Sequence, residues 1–117
     1  MSGSAYSMSI AIPAESLAVI DGEPVIGGLH GATRHFFCGW CMSWIFTRPE
    51  RLDDIVNLRP SVLDRHDWFV PFAEFWTKEK LPWVSTAAVH SFESLPPHGD
   101  FIELIEQYQA RGVCEPG

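Results

Sequence analysis

Ala32-Thr33-Arg34-His35-Phe36-Phe37-Cys38-Gly39-Trp40-Cys41-Met42-Ser43-Trp44-Ile45-Phe46-Thr47 is the stretch that decides how this chain folds. Aromatic and β-branched residues flank a pair of cysteines separated by two residues, and such flanks favour extended backbone. The stretch reads as a β-hairpin tipped by a Cys-x-x-Cys turn, with Gly39 easing the bend. Upstream, Tyr6, Met8, Ile10 and Ile12 fall on one face of a period-2 strand that Pro13 stops. Leu17-Ala18-Val19-Ile20 reads as a second short strand, followed by an Asp21-Gly22 turn and a flexible Gly27-Gly28. Downstream, residues 55–58 and 72–76 are the next extended candidates. Pro49, Pro60, Pro71 and Pro82 recur every eleven residues, but the segments between them share nothing else, so they are turn punctuation.

The C-terminus alone carries a helical period. Phe101, Leu104, Ile105 and Tyr108 lie at i, i+3, i+4, i+7, with Asp100 as cap, Glu103 and Glu106 early, Arg111 late and Gly112 as the stop. The predicted fold class is therefore mainly β with a C-terminal α-helix. One domain over residues 1–112 and a loose tail over 113–117 account for the length of 117. An apolar content of 46%, with 13% aromatic, suffices for a core. Eight basic against fifteen acidic residues give a net charge of −7, the wrong sign for nucleic acid or an anionic membrane. The N-terminal residues have neither the basic nor the apolar region of a secretory leader, and three cysteines are too few for a disulfide scaffold. The expectation is a soluble, cytoplasmic chain.

Chemistry concentrates at Cys38 and Cys41. Two thiolates across a two-residue turn can face one tetrahedral ion, but a structural zinc takes four ligands and this pair supplies two. Cys114 stands alone far downstream, and His30 and His35, five apart on a presumed strand, face opposite sides. Thiol–disulfide exchange is a second reading of the pair; it draws on a helix N-terminus, and residues 42–47 read as strand. Two reduced cysteines without a role are the third. Elsewhere, His66 beside Asp67 reads as a solvated loop histidine, and His90 and His98 have no evident partner. The five tryptophans, Trp40, Trp44, Trp68, Trp76 and Trp83, read as core rather than as a ligand groove. Gly27, Gly28 and Gly31 precede no helix and so make no phosphate loop.

Taken together, residues 31–41 and 43–46, Leu63-Asp64, Pro71, Glu74, Lys80-Leu81-Pro82-Trp83 and residues 92–96 resemble the glutathione-dependent formaldehyde-activating enzyme family. The resemblance runs from about residue 2 to residue 97. It implies an Mss4-like, β-sandwich-type fold carrying zinc on cysteine thiolates. It also implies a carbon–sulfur lyase reaction that joins glutathione to formaldehyde, so the partner implied is glutathione or a related small thiol adduct. In that family Cys38 and Cys41 match the second half of a structural zinc site. The first half comes from an upstream Cys-x-Cys, and a separate cysteine group before a Gly-Ser-Ala segment holds the catalytic zinc. Here Gly3-Ser4-Ala5 opens the chain, which reads as the C-terminal two-thirds of a family member. Met42 stands where the family carries a small glycine.

Three expectations follow. Zinc has two of its four ligands in Cys38 and Cys41. No residue matches the family's catalytic cysteines, so the catalytic residues are unassigned and the chain is weakly active or inactive. A sheet edge left open favours a homodimer. The alternative is a non-catalytic β-domain whose Cys-x-x-Cys half-site serves protein interaction.

Overall fold

The computed structural model describes residues 3–111. Contacts divide the chain between Asp64 and Arg65 into two units. The first is built on one antiparallel sheet of β1 (Ile10–Pro13), β2 (Val25–Ile26), β3 (Arg34–Phe37), β4 (Trp44–Arg48) and β5 (Ile55–Leu58), in the order β1-β5-β4-β3-β2. The register explains the core. Ile10 faces Leu58, Ile12 faces Val56, Leu58 faces Phe46 and Phe46 faces Phe36, so alternate residues of four strands form one apolar face. Phe36 and Phe46 stack with centroids 4.7 Å apart, and Phe46 and Val56 are buried.

The hairpin of β3 and β4 forms where its composition places it, with one irregularity. Phe36 pairs with Phe46 but Phe37 pairs with Trp44, so Ile45 is an extra residue in β4, a β-bulge. The bulge turns Trp44 away from the Phe46 side: its indole instead stacks on Phe37, meets His35 edge-on and bonds Thr47. The displaced Ile45 carbonyl accepts a hydrogen bond from the Arg59 backbone N–H at 2.9 Å, which ties the end of β5 to the bulge.

Several expected elements are corrected. The strand predicted over residues 6–12 covers only Ile10–Pro13, because β5 offers partners to those four residues and no more. Residues 17–20 form no strand: Val19 and Ile20 are exposed, and the neighbour of β3 is Val25–Ile26. Gly27 makes that pairing possible, since a Cβ there would sit 2.9 Å from Cδ1 of Phe37.

The second unit holds β6 (Ala73–Glu74) and β7 (His90–Ser91), paired in parallel, and the helix α1 (His98–Ala110). The strand expected over residues 72–76 shrinks to two residues because Trp76 turns into the left-handed region at φ 60°. Helix α1 begins two residues before Asp100, which therefore lies in the first turn rather than at the cap. An acid there still suits the positive end of the helix dipole. Leu104 is buried, Phe101 packs on Phe75 at 5.5 Å and Tyr108 meets Phe72 at 5.5 Å, as the helical period requires. Ile105 is exposed. The predicted stop at Gly112, the tail and Cys114 lie outside the described residues. Seven strands and one helix among the described residues make the protein mainly β with a C-terminal helix. None of the described helices is long and apolar enough to cross a membrane.

Candidate metal centre at the hairpin tip

Residues 38–43 close the β3–β4 hairpin through two backbone hydrogen bonds, Cys38 N–H to the Ser43 carbonyl and Met42 N–H to the Cys38 carbonyl, each 2.9 Å. The turn reverses direction at Met42, whose φ of 61° lies in the left-handed region. The predicted role of Gly39 is therefore corrected: the bend is taken by Met42. Gly39 instead leaves room for β2, since a Cβ there would stand 3.3 Å from Val25 Cγ1.

Cys38 is half-buried, Cys41 is exposed, and both are free thiols. Cys41 donates to Ser43 Oγ at 3.1 Å. Once the thiol ionises, the same hydroxyl can turn its proton to the sulfur. That bond is the largest cause holding the Cys41 pKa below its ordinary value, helped by the Ser43 backbone N–H and the neighbouring Cys38 thiol. No local pattern marks Ser43's part, which depends on the turn bringing residue 43 back to residue 41.

Tested against zinc, the tip offers two sulfurs on either side of a two-residue turn, one favoured as thiolate, which fits half a tetrahedral shell. Among the described residues no group of three or more His, Cys, Asp and Glu side chains could hold a metal ion. His35 does not join the cysteines. Its Nδ1 lies 2.9 Å from Thr47 Oγ1, which also accepts the Trp44 indole N–H at 3.0 Å. The Thr47 hydroxyl thus links the indole N–H to the imidazole ring. Burial and then the Arg59 charge hold the His35 pKa below its ordinary value, so the ring is neutral at pH 7.

The same sheet face carries a group that sequence reasoning missed. Arg59 is 6% exposed, its guanidinium stacked on the Trp44 ring at 4.0 Å and donating from Nη1 to Ser9 Oγ at 3.3 Å. Fifty residues separate Arg59 from Ser9, so only the β1–β5 pairing could have revealed the contact.

A second polar node belongs to the second unit. Glu74 accepts from Thr86 Oγ1 at 2.6 Å, Lys80 Nζ at 2.9 Å and Ser91 Oγ at 3.0 Å. The Thr86 bond first, then Lys80, hold its carboxyl below the usual range. Glu74 and Lys80 were both among the residues that carried the family resemblance, and the fold brings them together. Other sites resolve as follows. His66 and Asp67 are exposed, and Asp67 pairs loosely with Arg65 at 3.9 Å. His90 lies edge-on to Phe72 at 5.0 Å. The tryptophans are not a core: Trp40 and Trp83 are 92% and 75% exposed, Trp76 is exposed, and only Trp44 and Trp68 are half-buried. Under Phe72 and Tyr108 a cavity of about 40 Å³ has room for a few waters rather than a substrate.

Compared with known families, a sequence model described as glutathione-dependent formaldehyde-activating enzyme matches residues 1–79. The match takes in the whole five-stranded sheet, both hairpin cysteines and Glu74, and stops short of the Lys80–Trp83 and 92–96 segments. The comparison with curated proteins gave no match.

Proposed function

The chain belongs to the glutathione-dependent formaldehyde-activating enzyme family, and on that premise we propose that its hairpin tip, Cys38 and Cys41, is a two-thiolate half of a structural zinc site. The observation that carries this reading is the turn itself: it sets two free thiols on one tip, with Ser43 and Cys38 favouring the thiolate of Cys41. A bound zinc would hold both sulfurs as thiolates and lock the turn that Met42 strains. The chain's own contribution is the rest. The closing hydrogen bonds shape the turn that carries both cysteines, and the β3–β4 pairing gives the tip its base.

The chemistry proposed for this family setting is addition of the glutathione thiol to formaldehyde. The sulfur forms a bond to the carbonyl carbon, the carbon–oxygen π bond opens, and the thiol proton ends on oxygen as S-hydroxymethylglutathione. This 117-residue chain by itself does not carry out that step, because its cysteines supply one thiolate pair and the reaction asks for a second, separate metal group. A test measures the condensation of formaldehyde with glutathione in the presence of the purified chain and zinc. The reading expects the spontaneous rate, and a metal-dependent acceleration that Cys38→Ser abolishes would overturn it.

One observation favours a second reading, a non-catalytic β-domain acting by protein interaction. Trp40 and Met42, which flank Cys41, are 92% and 60% exposed, and large apolar side chains beside a rigid turn are suited to a partner surface. Self-association that Trp40→Ser removes would support it over the first.

A further inference from the structure

Among the described residues Arg59 is a buried cation without an anion. Its exposure is 6%, yet among the described residues no carboxylate lies within ion-pair distance of it. Its neighbours among the described residues are neutral: the Trp44 ring under the guanidinium at 4.0 Å, Ser9 on Nη1 at 3.3 Å, and beyond Trp44 the neutral His35 and Thr47. A guanidinium carries five N–H donors and stays charged at any pH a protein survives. Among the described residues no side-chain nitrogen or oxygen is both sealed from solvent and unpartnered. The donors of Arg59 that have no protein partner therefore reach solvent, through the small part of the residue that is exposed. A charge withdrawn from bulk water, with free donors presented at an opening, is a receptor for an oxyanion.

We propose that Arg59, seated on Trp44 and steadied by Ser9, receives an isolated carboxylate of a small ligand. The carboxylate of an amino acid carries its own ammonium and wants an acidic residue beside the arginine. None is found at this site among the described residues, so a carboxylate without an adjacent amine is the chemical class that fits. In glutathione that is the glycine end and not the γ-glutamyl end. Trp44 is three residues from Cys41, at most about 11 Å of backbone, a span a tripeptide can bridge. The choice of glutathione as ligand rests on the family reading above; the carboxylate site does not.

The test follows the Trp44 indole N–H and the Arg59 Nε–H by ¹⁵N NMR in the full chain, at fixed pH and ionic strength. Three probes are titrated: glutathione, glutathione amidated at its glycine carboxylate, and N-acetylglycine. Glutathione and N-acetylglycine should both move the two resonances, and amidation should weaken binding at least about tenfold, the loss expected for a charge-assisted hydrogen bond. Equal binding of the amidated form, or no movement of either resonance with any carboxylate, would overturn the proposal. N-acetylglycine moving both resonances while glutathione binds no more tightly would uphold the Arg59 site and count against glutathione as its ligand. Glutathione moving only the Cys38 and Cys41 amides, amidated or not, would uphold the family ligand and refute the site. Arg59→Gln should abolish the response; because it can also disturb the fold, the comparison of probes on the unaltered protein carries the decision.

Discussion

Replacing Met42 by glycine should make this protein more stable, although it removes a large apolar side chain. Met42 closes the Cys-x-x-Cys turn at φ 61°, where a Cβ crowds the following carbonyl at a cost of about 1–2 kcal/mol. Glycine removes that cost but has more freedom to lose on folding, roughly 0.5–1 kcal/mol. The side chain is 60% exposed, so little burial is forfeited. The net gain is about 0.5–1 kcal/mol, which raises the melting temperature of a domain this size by roughly 2–6 °C. Thermal unfolding followed by circular dichroism reads the shift, with Met42→Ala as the control that keeps the Cβ and its strain. Arg51, also in the left-handed region at φ 64° and exposed, should give a similar gain as Arg51→Gly, far from the thiols. A lower melting temperature for Met42→Gly, or an equal rise for Met42→Ala, would refute the argument that backbone strain is stored at this turn.

Gly27→Ala should destabilise the sheet by about 1–3 kcal/mol, because the new Cβ would approach the Phe37 ring to 2.9 Å and the ring must move; chemical denaturation would show it, and a neutral result would mean that the ring gives way freely. Glu74→Gln should cost roughly 1–3 kcal/mol in the second unit by stranding Lys80, read by hydrogen exchange at β6 and β7. Because the folded Glu74 carboxyl titrates below its ordinary 4.5, the stability it contributes is complete above that pH and is lost as pH falls through its folded value. The variant should lack that acid slope. His35 acts in a higher window. Its folded pKa lies below 6.5, so the unfolded chain binds the extra proton and stability declines as pH drops below about 6.5. His35→Gln should flatten urea midpoints across that range, and an unchanged slope would show that His35 is not the titrating group.

Much of the sheet was legible because period-2 alternation and the Cys-x-x-Cys pair state their meaning locally. The hairpin of β3 and β4, the strand at residues 55–58 and the helix face of Phe101, Leu104 and Tyr108 all form as their spacing requires. What failed were features decided by partners. Residues 17–20 are as apolar as many short strands, yet the edge of β3 pairs with Val25–Ile26, which only the fit of Gly27 against Phe37 explains. Composition alone puts the tryptophans in the core, whereas the turn holds Trp40 out and a bulge that no local signal marks turns Trp44 towards Thr47. The candidate centre was half legible. Cys38 and Cys41 are named by their spacing, but Ser43 acts through the turn, and Arg59 reaches Trp44 and Ser9 only across the sheet.

The central claim, that Cys38 and Cys41 form half of a zinc site, is tested most directly by the zinc content per chain. Elemental analysis would be made on protein purified without added metal and dialysed against a mild chelator, with Cys38→Ser alongside. Two thiolates with no further ligand among the described residues hold zinc weakly, so the account predicts well under one zinc per chain in both proteins, with zinc added back retained better by the unaltered chain than by the variant. A full equivalent of zinc surviving dialysis in the unaltered chain and lost in Cys38→Ser would contradict it, showing a completed four-ligand centre.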